Sequence, residues 1–319
     1  MSEVAALVQV QLDRYAQQAR PRTGSLIISV WGDAIYPRGG RVWLGSLIQL
    51  LEPLGVSERL LRTSVFRLVQ ENWLATETHG RKADYFLTVS GQRRIEEAAS
   101  SIYAPVSPSW DHRWRLLQVV EPLTAAEREA LRAELYWQGF GVVGHTCFVH
   151  PTASLQEAIA ILSTSDVRHL VPKLMPMLAV EQSLVGAAGA QVIAQNAWDL
   201  AALAERYQVF LQRYQPIYQT LQRPDALYEV PAHTLFLLRT LLVHDYRKLM
   251  LRDPHLPSEL LPMGWCGHEA RRLCGSVYRL LIKPTEQFLD GFMQRADGTV
   301  PRADARMLDS RFNQENLLG

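Results

Sequence analysis

Arg59, Arg62, Thr63 and Arg67 recur at three- and four-residue spacing, the interval that gathers side chains on one face of a helix. Guanidinium forks match guanine O6/N7 and phosphate oxygens, and a threonine methyl meets a thymine methyl, so the set suits a DNA major groove. Stepping through residues 57–69 at about 100° per residue puts Leu60, Leu61, Val65, Leu68 and Val69 on the opposite side. Phe66 falls awkwardly among the arginines and is expected to pack under a neighbouring hairpin.

The flanking residues supply the elements that would hold this face. Trp43–Leu54 is apolar at helical spacing, and Gly55 follows it where a left-handed residue closes a helix. Ser57 is placed to cap the next helix, with Glu58 in its first turn and Asn72 at its end. Trp73–Thr78 and Asp84–Val89 alternate as a β-hairpin closed by residues 79–83, whose Arg81 and Lys82 would reach a phosphate or the minor groove. Residues 57–94 carry seven basic side chains against four acidic ones. A solvated arginine face beside an unrelated hairpin is the plain alternative. The order helix, glycine turn, basic helix and basic-tipped hairpin weighs toward DNA.

A second dense segment is RTLLVHDYRKLMLR, Arg239–Arg252. Its His244, Tyr246, Arg247 and Arg252 suit an anion site for a phosphorylated small molecule, with arginine forks and an aromatic ring. The same residues also read as a capped helix with cations at its C-terminus. Trp198, Tyr207, Phe210 and Tyr214 recur along one predicted helix and read first as core, second as an aromatic slot.

Other motifs fail on context. Gly139–Gly144 matches GxGxxG, but a predicted helix precedes it and a strand follows, the reverse of a dinucleotide fold. His145, Cys147 and His150 make a loose metal-like cluster with His150 on the wrong strand face. His244-Asp245 are neighbours on a helix and point about 100° apart. GxSxG, HExxH and GxxxxGK[ST] are absent. The expectation is no enzyme, no cofactor and no metal.

With 319 residues, 33 Lys plus Arg and 32 Asp plus Glu, the chain has ordinary globular composition and room for two or three domains. It has no apolar run of membrane-span length and no signal-peptide core, and its three cysteines form no CxxC pair. A reduced, cytoplasmic protein without membrane contact is expected. Predicted boundaries are an N-terminal arm over 1–20, then domains at 21–104, 105–182 and 183–295 and an extended tail over 296–319. The arm is expected as an amphipathic helix serving a dimer, and Ala104–Ser109 as a proline linker. Arg113–Val120, Val142–Val149 and Val167–Leu174 read as strands alternating with helices at 124–138 and 155–162, a small α+β domain of ferredoxin-like type. Helices are expected at 198–223, 231–251 and 268–294.

The chain resembles the PaaX-type transcriptional repressors of phenylacetate-degradation operons. The resemblance is carried by TGSLIISVWGDAIYPRGGRVWLGSLIQLLEPLGVSERLLRTSVFRLVQENWL, by YFLTVSGQRRI and by RTLLVHDYRKLMLRDPHLPSELLPMGWCG, in that order across roughly residues 20–295. It implies a multidomain α+β protein: an N-terminal winged helix-turn-helix, a ferredoxin-like middle domain and a helical C-terminal domain for ligand and dimer. It further implies a homodimer on double-stranded operator DNA, released by phenylacetyl-coenzyme A. Base and phosphate contacts would fall to Arg59, Arg62, Thr63 and Arg67, with Tyr246, Arg247 and Arg252 near the effector. An acyl-coenzyme A-processing enzyme with a winged interaction module is the alternative, and a dimeric scaffold the third reading.

Overall fold

A computed structural model describes residues 2–18, 23–103, 108–181 and 188–313. The first half carries α1 (Glu3–Ala16), α2 (Thr23–Val30), β1 (Arg41–Trp43), α3 (Leu44–Leu51), α4 (Glu58–Gln70), β2 (Leu74–His79), β3 (Lys82–Leu87) and α5 (Val89–Tyr103). Next come β4 (Arg113–Val119), α6 (Ala125–Trp137), β5 (Gly141–Val143), β6 (Cys147–His150), α7 (Leu155–Thr164) and β7 (Leu174–Val180). The helices α8 (Ala190–Ala197), α9 (Leu200–Leu221), α10 (Ala232–Met250), α11 (Cys266–Phe292) and α12 (Ala305–Asp309) complete it. The fold is mixed α+β, mostly helical, with two small antiparallel sheets. Among the described residues no helix is long and apolar enough to cross a membrane.

The chain forms two compact units, one of residues 1–105, 207–251 and 267–319, the other of 106–206 and 252–266. The stretch 183–295 contributes α8 to the second unit and α10 to the first. Residues 104–107 of the expected linker, 182–187, and the ends of the arm and tail lie outside the described residues.

In the second unit the order is β4-α6-β5-β6-α7-β7, folded into a sheet ordered β5-β6-β4-β7. Leu117, Leu131, Leu135, Phe148, Leu162 and Leu170 fill its core. Thr124 and Glu127 close a capping box on α6, the Thr124 hydroxyl accepting from Glu127 N–H and the Glu127 carboxylate from Thr124 N–H. Two strand expectations change. Val142–Val149 is broken at Gly144, whose φ of +64° lets β5 fold back on β6. Arg168–Lys173 is a 3-10 turn around Pro172, and the strand begins at Leu174. Pro176 is tolerated because β7 is an edge strand.

The first unit is built around α10, which is buried along most of its length. The arm does not stand free: Val4, Val8, Leu12 and Tyr15 of α1 are buried, and Arg14 pairs with Asp245 of α10 at 3.0 Å. Asp245 also takes Arg213 at 2.7 Å and the Tyr214 hydroxyl at 3.0 Å.

Beyond α2 the chain widens into a π-helical turn, Trp31–Ile35, which carries the buried Asp33. The Asp33 carboxylate accepts from Tyr103 (2.9 Å), Tyr278 (3.0 Å), Arg239 (2.8 Å) and Arg311 (3.1 Å). Burial alone would raise its pKa, and the two guanidiniums reverse that and hold it below the usual carboxylate range. The expected extended tail is corrected here. Asp304 caps α12, Arg311 reaches Asp33, and Phe312 packs edge-on to Tyr103 at 5.3 Å.

Asp33→Asn removes the counter-charge of two buried guanidiniums, so it should cost about 3 kcal/mol or more in urea unfolding. An unchanged midpoint would deny the carboxylate its structural role. Burial also pushes His244 down to about 3 and His150 to about 4, from 6.5. Both stay neutral in the folded chain while the unfolded chain takes protons below pH ~6.5. Their contribution is therefore whole above that pH and is lost as pH falls toward 4 and then 3. His244→Gln should flatten this loss by up to about 1.4 kcal/mol per pH unit, read from unfolding midpoints between pH 7 and 4.

Candidate nucleic-acid interface

The basic helix forms as its sequence dictates. Gly55 sits at φ +74° after a 3-10 turn, close against Ala16 of α1, where a Cβ would meet the Ala16 Cβ at 3.2 Å. Ser57 caps α4, its hydroxyl accepting from Leu60 N–H at 3.3 Å. Asn72 closes the helix with φ +57°, and Trp73 N–H bonds back to Leu68 carbonyl, the Schellman pattern. Leu61, Val65 and Leu68 are buried, whereas Arg59, Arg62, Thr63 and Arg67 are exposed on one face. Phe66 is 62% exposed on that face, so it does not pack under the hairpin. It lies on the same side as the arginines, and the core is already filled by its neighbours.

Two of the exposed polar groups are engaged locally. Arg62 pairs with Glu58 one turn earlier at 2.7 Å, and the Thr63 hydroxyl donates to Arg59 carbonyl at 2.9 Å. An exposed i,i+4 pair contributes little stability, so an incoming phosphate or base can replace Glu58. Thr63 is left with its methyl to offer.

The hairpin β2–β3 is tighter than expected, with only Gly80-Arg81 between the strands, and β1 adds a third strand on the far side of β3. Arg81 is exposed at the tip. Lys82 is half-buried, its Nζ 4.4 Å above the Trp43 ring, so it belongs to the hairpin's side rather than its end. Asp84, in register with Trp43, is buried and accepts from Ala296 N–H at 2.7 Å. Trp43 N–H in turn donates to the Gln294 carbonyl, which fastens the sheet to the end of α11.

The proposed ligand residues are not brought together. His244 is buried with its Nδ1 3.0 Å from the Ser29 hydroxyl, and Tyr246 is buried against Phe210 and Phe312. Arg247 donates to the Ser25 hydroxyl at 3.1 Å beside a small cavity of about 30 Å³. Arg252 lies in the other unit, on a cleft of about 340 Å³ with Arg132, Tyr136, Trp198 and Arg206. Tyr207, Phe210 and Tyr214 are core residues of α9, and Trp198 precedes that helix. No local spacing links Arg132, Arg206 and Arg252, so the cleft had no sequence signature. Asp33 and Arg311 were likewise missed, being 278 residues apart.

The remaining motifs resolve as structure. Gly139 is the left-handed residue of a Schellman turn after α6, at φ +82°. His150 Nδ1 accepts from Thr152 and Ala153 N–H, and His145 is exposed on the β5–β6 turn. Among the described residues no group of three His, Cys, Asp or Glu side chains is placed to hold a metal ion.

Comparison with known proteins gives a coherent answer. Residues 22–91 match the PaaX-like protein family, 107–175 the PaaX protein central Cas2-like domain, and 198–291 the PaaX-like protein C-terminal domain. The chain is 33% identical over 318 residues to the transcriptional repressor PaaX of Escherichia coli (strain K12), covering 99% of this chain and 97% of that one. The uncharacterized protein Rv0674 from Mycobacterium tuberculosis superimposes with a TM-score of 0.48 at 21% identity, over 89% of this chain and 97% of the other. With three family domains matched in order and a third of all positions identical from end to end, the chain belongs to the PaaX family.

Proposed function

We propose that the chain is a cytoplasmic, ligand-responsive transcriptional repressor of phenylacetate catabolism genes. In this reading it binds operator DNA as a homodimer and leaves it when phenylacetyl-coenzyme A binds. The observation that carries the reading is the exposed Arg59, Arg62, Thr63 and Arg67 face of α4, flanked by the Arg81-tipped hairpin. We read α3, the Gly55 turn, α4 and the β1–β3–β2 sheet as a winged helix-turn-helix, with α4 in the major groove and the hairpin as wing. The β4–β7 unit, with its order β5-β6-β4-β7, is read as ferredoxin-like. The relative at 33% identity is named a transcriptional repressor, which supports the same reading.

Release requires the effector to bind the DNA-incompetent arrangement more tightly than the competent one. A hundredfold preference supplies about 2.7 kcal/mol, enough to loosen an operator complex.

Arg62→Ala should weaken binding to the protein's own promoter by about 1–3 kcal/mol, or, for a phosphate contact, lower the log–log salt slope by about 0.9. Fluorescence anisotropy at several salt concentrations decides between these, and unchanged affinity and slope would remove α4 from the interface. Glu58→Gln frees Arg62 and takes a negative charge from the face, so it should tighten the same complex. In the same assay phenylacetyl-coenzyme A should collapse the wild-type signal while free phenylacetate leaves it intact. Indifference to the thioester would discard the effector and keep the repressor.

A further inference from the structure

The second unit carries an open cleft of about 340 Å³, a size at which small-molecule sites begin. Its rim holds three arginines from three separate segments: Arg132 of α6, Arg206 of α9, and Arg252. Among the described residues none of the three guanidiniums has a hydrogen-bond or ion-pair partner, and all three are exposed. The one acid at the rim, Asp199, is engaged in capping α9, its carboxylate accepting from Ala202 N–H at 3.0 Å. By contrast, Arg239 and Arg311 gather around the buried Asp33 carboxylate. Three cations against the single Asp199 carboxylate leave this small concavity with an excess of positive charge, which favours an anion that enters.

The floor has a different character. Phe140 and Trp198 are buried there, and the Trp198 indole N–H is satisfied by Gly139 carbonyl at 3.0 Å, so the ring presents only apolar surface. The ring is held in place by close backbone: a Cβ on Gly141 would sit 2.7 Å from Trp198 Cε2 and from the Ala197 Cβ. Tyr136 lines the cleft half-exposed, a second aromatic with a polar tip. Cations on the rim above a fixed aromatic floor match a molecule that is anionic at one end and apolar at the other.

We propose that this cleft binds a small molecule carrying two or more phosphate groups and an apolar, aromatic or acyl end. We also assign it as the effector site of the repressor, and that second part rests on the function proposed above. Arg252 thus leaves the Arg239–Arg252 grouping and joins Arg132 and Arg206 instead.

The test is calorimetric titration of the full-length protein, without DNA, using phenylacetyl-coenzyme A and unacylated coenzyme A as probes. Arg132→Ala, Arg206→Ala and Arg252→Ala should each weaken thioester binding about tenfold or more, the scale of a charged hydrogen bond. Ala202→Trp keeps every charge and fills the cleft, so it should weaken binding as well. Ligand-free operator affinity should stay at the wild-type value in all four, and near-UV circular dichroism checks that they fold. Wild-type binding that all three alanine variants retain, or a loss confined to Arg247→Ala, overturns the cleft and leaves the effector reading standing. Arginine-dependent binding that fails to loosen the operator complex keeps the cleft and overturns the effector assignment. No binding of either probe overturns both.

Discussion

One buried carboxylate holds the larger unit in register. Asp33 receives bonds from α5, α10, α11 and the segment after α12, four pieces of chain separated from it by 70 to 278 residues. A charge in such a place costs several kcal/mol of hydration and is tolerated only when its partners are all present. The π-helical turn is the local adjustment that carries it, since the wider turn also directs the Asp33 and Gly32 carbonyls toward Arg311. Arg239 is shared with Glu286, which also pairs with the buried Arg38, so the network continues along α11. A geometry this specified fixes which helix faces meet, something that apolar packing alone leaves degenerate.

The basic helix and hairpin pack on this frame. Leu61, Val65 and Leu68 of α4 are buried, and Trp43 of β1, Ser46 of α3 and Asp84 of β3 are tied to the residues that follow α11. Two groups of arginines contrast. Arg38, Arg239 and Arg311 are buried, paired and structural. Arg59, Arg67, Arg81 and the cleft trio are exposed, with no ion pair among the described residues.

What could be read from the sequence follows the same division. The span 43–89 was legible because its instructions are local: Ser57 caps, Gly55 and Asn72 terminate, and the three-to-four spacing sorts Leu61, Val65 and Leu68 from the arginines. The capping box at Thr124 and the helix-to-strand glycines were legible for that reason too. The contact of Lys82 with Trp43 was not legible, because Trp43 arrives through a strand of only three residues hidden at the start of an apparent helix. The tail read as frayed because its order comes from Asp33 and Tyr103, far away in the chain. His244 and Tyr246 looked chemical from composition, and only tertiary contacts show them facing the core.

The docking of Arg311 and Phe312 has a consequence for how the molecule is born. A ribosome adds roughly 5–20 residues each second, so about a quarter to one minute separates synthesis of Asp33 from that of Arg311. Through that interval the π-helical turn holds a carboxylate that still lacks its last partner. Locking of the larger unit is thereby deferred until Arg311 has been made. Chains cut short by a premature stop before residue 311 are born lacking the last ligand of that carboxylate, and the cell's proteases meet them as incompletely closed folds.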